Sequence, residues 1–208
     1  MRHLLPIFCL FIGVGSSFPS NAADDQSICK HFIDTMHSQT DAVFHDAHMS
    51  FTQKRSTLSR LFEEGIDTAW IAQYVAGSYW NTVNDYERGE FVKAYRAYLS
   101  DKYVGAMNED DINSMWNFTL VDFIPSPPNG YQAHIEISQK TDDPISIDLR
   151  MEESPAGVCH VHDFILEGVS LLQSQREQIQ SLAAKGGLKY VTQRLADLVH
   201  NSNESAAY

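Results

Sequence analysis

The hydrophobic period of this chain changes twice. From Ser27 to about Tyr103 apolar residues recur at three- and four-residue intervals, from Trp116 to Leu166 they alternate, and from Leu172 onward the helical interval returns. A parallel α/β fold interleaves strands with helices, so a block of consecutive strands between two blocks of helices predicts an α+β domain. Short turn-rich links between those strands favour an antiparallel meander.

Within the first block, Ile28, Phe32, Ile33, Met36, Val43 and Phe44 form one stripe, predicting a helix over Ser27 to Phe44. A second helix, Thr52 to Glu64, buries Leu58, Leu61 and Phe62 and stops at Gly65. The third, Thr68 to Ala76, carries Trp70, Ile71, Tyr74 and Val75. Asn84 and Glu87 form a capping pair that opens a fourth helix with an aromatic face of Phe91, Tyr95 and Tyr98. Asn108 to Asn113 reads as a polar break.

In the alternating block, Trp116, Phe118 and Leu120 start the first strand, and Pro125 to Gly130 predicts a turn. Tyr131 to Ser138 is the second strand, Ile145 to Glu152 the third, and Val158 to Leu166 the fourth. Ser170 and Gln173 then cap a helix presenting Val169, Leu172, Ile179 and Leu182, which ends at Gly186-Gly187. Leu188, Val191, Leu195 and Leu198 stripe the last one, and 201–208 is expected to be a flexible tail. The expected fold is a curved antiparallel sheet of about four strands enclosed by helices.

Residues 1–22 differ from the rest: Arg2 and His3, an apolar run from Leu4 to Val14, then small residues ending at Ala22. They predict a secretory signal peptide, leaving 23–200 as one exported domain. Cys29 and Cys159 then remain in an oxidising compartment, where a disulfide between them is an option that the sequence leaves open. Hydrophobic side chains at 43% exclude a disordered chain, and a net charge of -12 would repel phosphodiesters, which excludes general nucleic-acid binding.

Motifs for catalysis are weak. His45-x-x-His48 and Cys29-Lys30-His31 lack further ligands at a recognisable spacing, so no metal site is assigned. Asp148, Asp163 and His162 supply a general-base alternative, an enzyme acting on a small molecule, but no nucleophile or paired carboxylate accompanies them. A dense aromatic stretch from Trp70 to Phe118 reads as an ordinary core or as the wall of an apolar cavity.

Three segments resemble the MlaC or toluene-tolerance family of periplasmic phospholipid-binding proteins. They are Asp67 to Trp80, Phe91 to Tyr103, and Asp163-Phe164-Ile165-Leu166-Glu167-Gly168-Val169-Ser170-Leu171-Leu172. The chain departs from the family pattern at Val83 to Arg88 and at Cys159. The resemblance implies a non-enzymatic carrier with an apolar cavity, bound phospholipid as its ligand and no other cofactor. It further implies shuttling between an inner-membrane ABC transporter complex of MlaD type and an outer-membrane lipoprotein complex of MlaA type. On that basis the expected lipid-binding residues are Trp70, Tyr74, Tyr79, Tyr95, Leu99, Tyr103, Phe118, Ile135, Ile147, Leu149, Val161, Ile165 and Leu172.

Overall fold

A computed structural model describes residues 28–113, 116–127, 130–138 and 144–205. The expected signal peptide and the residues after Ser205 lie outside the described residues. Helices α1 (Ile28–His45), α2 (Phe51–Gly65), α3 (Thr68–Ala76) and α4 (Asp85–Ser100) come first. A 3-10 segment (Gly77–Thr82) joins α3 to α4, and a π turn (Asp101–Gly105) carries α4 onward.

Asn84 caps α4 as its sequence demands: its side chain accepts from the Glu87 amide at 3.0 Å while Glu87 accepts from the Asn84 amide at 3.2 Å. Ser50 and Gln53 close the same reciprocal box on α2. The segment read as a polar break forms a short helix instead, α5 (Glu109–Asn113). Asn108 and Asp111 exchange amide-to-side-chain bonds there, and Ile112 becomes fully buried, which periodicity over so few residues cannot reveal.

The sheet has five strands in the order of the chain: β1 (Asn117–Ser126), β2 (Gly130–Ser138), β3 (Ile145–Glu153), β4 (Cys159–Leu166) and β5 (Val169–Ser170). All neighbours are antiparallel. Two sequence expectations need correction. Pro125, expected in a turn, stands in β1, where an edge strand tolerates the missing amide hydrogen. Val169, expected on a helix face, pairs with Leu166 in β5. Glu167 and Gly168 make the two-residue link between those strands, both with left-handed φ, of 49° and 81°.

Helix α6 (Leu171–Ser205) is broken at Gly186–Gly187, where Gly187 has a φ of 72°, and runs past Asn201 to Ser205. Helices α3, α4 and α6 pack together around Phe91, Tyr95, Ile179, Leu188, Val191 and Leu195, all with essentially no exposed surface. Helix α1 lies against β1, β3 and β4 with α2 packed beside it, and α6 also packs on β4. Cys29 and Cys159 are joined by a disulfide with their Cα atoms 5.1 Å apart, fastening the start of α1 to the start of β4 across 130 residues. A loop of that size implies a stabilisation of about 4 to 5 kcal/mol through the unfolded chain.

Candidate functional site

A cavity of about 370 Å3 lies between α1, α2 and the inner face of the sheet. Each wall follows from a local pattern. On α1, Phe32, Ile33, Met36, His37, Thr40 and Phe44 recur at helical spacing and face inward. On α2, Leu58, Leu61, Phe62 and Gly65 do the same. Gly65 is a point of close approach: a side chain there would start 3.1 Å from the Met36 methyl carbon. The π turn after α4 adds Tyr103 and Val104, and Met107 follows.

Strand alternation supplies the remaining wall in cross-strand rows. Phe118 of β1 pairs with Ile137 of β2, Leu120 with Ile135, Ile135 with Ile147 of β3, and Leu149 with Phe164 of β4. Directly paired residues point to the same side of a sheet, so these rows form one apolar surface. Val161 joins that face although it stands an odd number of residues from Phe164. A bulge between Arg150 and Met151, opposite His162, resets the alternation.

Aromatic rings fix the walls to one another. Phe118 stands between Phe44, with centroids 5.8 Å apart, and His37, edge-on at 6.3 Å. Phe62 bridges Tyr103 at 5.9 Å and Phe164 at 6.2 Å. Polar groups on the lining are confined to Asp34, His37 and Thr40 of α1 and the Tyr103 ring, and Asp34 is held by Lys30 one turn earlier at 2.6 Å. A wall of this composition can solvate hydrocarbon.

Of the residues expected from sequence to bind lipid, Tyr103, Phe118, Ile135, Ile147, Leu149 and Val161 line the cavity. Tyr95 and Leu99 lie in the packed core. Burial raises the Tyr95 hydroxyl well above the usual tyrosine range. Trp70 stacks on Tyr74 at 5.3 Å and on His162 at 4.3 Å, away from the cavity. Arg176 covers the Tyr74 ring at 4.6 Å and donates to the Tyr74 carbonyl. Tyr79 and Leu172 pack half-buried against the main core, and Ile165 pairs with Ser170 beside β5. Phe32, Met36, Leu58, Phe62 and Phe164 line the cavity as well, and their helical or alternating spacing marks a buried face without saying what it faces.

The general-base candidates occupy other places. Asp148 pairs with His134 at 2.6 Å. Asp163, only 4% exposed, accepts from the Ser170 hydroxyl at 2.7 Å and the Leu172 amide at 2.9 Å, so its carboxylate caps α6. His162 lies 3.2 Å from Glu152 and 4.0 Å from Asp67, and burial lowers its pKa below the usual 6.5 although both carboxylates oppose the shift. None of the three lines the cavity. Among the described residues, no group of three or more His, Cys, Asp or Glu is placed to hold a metal ion. No described helix is long and apolar enough to cross a membrane.

The family model described as MlaC protein matches residues 32–197. Among solved structures, a phospholipid-binding protein from Ralstonia solanacearum, solved in complex with a phospholipid, shares the fold with a TM-score of 0.70. The two are 17% identical over 83% of this chain and 97% of that one. No curated protein matches the chain.

Proposed function

Because the chain belongs to the MlaC protein family, we propose that it is a periplasmic lipid carrier, which encloses phospholipid acyl chains in the cavity between α1, α2 and the sheet. The carrier moves lipid between the MlaD-type complex of the inner membrane and the MlaA-type complex of the outer membrane, and performs no chemistry on it. A single observation carries the reading: the sheet face that would ordinarily close on α1 and α2 leaves about 370 Å3 between apolar walls. The fold it shares with a protein that holds a phospholipid supports the same use.

Physical balance suits a shuttle. Taking roughly 15 methylenes out of water gains about 12 kcal/mol at ~0.8 kcal/mol each, enough to hold one chain against escape into the periplasm. Bilayer methylenes are already dry, so exchange between membrane and protein is close to neutral, and contacts with partner complexes can set its direction. No charged headgroup ligand or further cofactor is needed for that balance.

Protein purified from a bacterial host should carry phospholipid, detected by organic extraction and mass spectrometry. Protein that is free of lipid as isolated and takes none from vesicles would refute the proposal.

A further inference from the structure

The cavity wall is not buried uniformly. Of its lining residues only Asp34 and His37, one turn apart on α1, are exposed; the others are buried or half-buried. A cavity opens where its lining reaches solvent, so this turn of α1 marks the mouth. An amphiphile whose hydrocarbon lies between apolar walls must place its first charged group where the wall meets water. A charge left among Phe32, Met36 and Phe118 would lose its hydration and gain nothing in return. In a phospholipid that first charged group is the phosphodiester.

Charges around the mouth decide what a phosphate meets there. Asp34 is held by Lys30 through both carboxylate oxygens, at 2.7 and 2.6 Å. Asp41, one turn beyond His37, lies 3.2 Å from His45. Both acids that flank His37 along the helix are therefore engaged by cationic or protonatable partners. The His37 ring is steadied by its edge-on contact with Phe118 at 6.3 Å. Among the described residues its nitrogens pair with no other side chain. Thr40, three residues further along, lines the same cavity and adds a hydroxyl. Residues three apart on a helix are neighbours, so an imidazole N–H and an O–H donor stand side by side at the opening.

Resting on the carrier reading above, we propose that His37, with Thr40 beside it, is the phosphate contact of the bound lipid. The imidazole N–H donates to a phosphodiester oxygen at the mouth while the hydrocarbon occupies the cavity. One nitrogen of the neutral ring carries a hydrogen, so the contact does not depend on protonation. Every glycerophospholipid has this phosphate, and the contact is indifferent to the alcohol esterified beyond it. It separates phospholipids from uncharged diacylglycerols with the same chains. Hydrocarbon burial supplies most of the affinity, and the phosphate contact fixes which class of amphiphile is retained.

The test uses the full chain and the variants H37F, which keeps a ring against Phe118 but has no N–H, and H37Q, which restores an N–H donor. Delipidated proteins are titrated at pH 7 with dioctanoyl phosphatidylglycerol and with dioctanoylglycerol, identical in chains and lacking the phosphate, and binding is read by calorimetry. H37F should bind the phospholipid about three- to tenfold more weakly and the diacylglycerol within about twofold of the unsubstituted protein, and H37Q should recover most of the loss. Equal weakening toward both ligands would make His37 no more than wall, and it overturns the phosphate contact, as does unchanged affinity for the phospholipid. An unsubstituted chain that binds neither ligand would remove the carrier reading itself. Thermal melting of both variants, expected close to that of the parent because position 37 is exposed, verifies that they are folded; H37A carries the same prediction as H37F should the latter not fold.

Discussion

The α3–α4–α6 half and the α1–α2–sheet half draw on the same side-chain types and treat them in opposite ways. In the first, Phe91 and Tyr95 stack at 5.7 Å and lose all exposure against Ile179, Leu188, Val191 and Leu195. In the second, Phe32, Phe62, Phe118 and Phe164 surround open space. Aromatic content therefore does not distinguish a cavity from a core; the distance at which neighbouring elements are held apart does. On this account the packed half supplies the rigidity, and the disulfide anchors α1 to β4 so that the open half does not have to be held by its own packing.

That contrast can be broken most severely at the bridge. Replacing both cysteines, C29S/C159S, should cost about 4 to 5 kcal/mol in denaturant unfolding. Phe91→Ala comes next, at about 3 to 5 kcal/mol, because it empties space inside a filled core; lipid bound per folded molecule should stay unchanged. In the open half, Leu149→Trp fills existing space, and lipid uptake should fall about tenfold or more while stability changes by less than about 1.5 kcal/mol. Uptake from vesicles, normalised to folded protein, measures the first quantity and urea unfolding the second. If Leu149→Trp destabilises as strongly as Phe91→Ala, the two halves do not differ as described.

The smallest effect concerns pH. The pKa of His162 is lowered in the folded protein, mainly by burial, so the unfolded chain binds more protons just below the usual 6.5. Its contribution is therefore fully present above that value and is lost as the pH falls through 6.5 toward the folded pKa. His162→Asn should flatten the decline in melting temperature between pH 7 and pH 5. An unchanged slope would show that Glu152 and Asp67 offset burial completely.

Much of the frame was written in local signals. The Asn84–Glu87 and Ser170–Gln173 caps, the bounds of α3 and the alternation of β2 each rest on neighbours within a few residues. The fifth strand was not readable, since two residues carry no period, and neither was α5. The site was less legible still. Strand residues such as Ile135, Ile147 and Leu149 could be placed on one face from alternation, but whether α1 and α2 or α3 and α4 stood opposite depends on tertiary packing. One signal was available: His37 and Thr40 interrupt the apolar stripe of α1, a pattern more natural beside an opening than inside a sealed core.

A direct measurement is to soak or co-crystallise the protein with a phospholipid brominated in its acyl chains and locate bromine by anomalous scattering. A bromine peak is expected between Phe62, Ile147 and Leu149. Bromine confined to the α4–α6 interface, or found nowhere inside the domain, would contradict it.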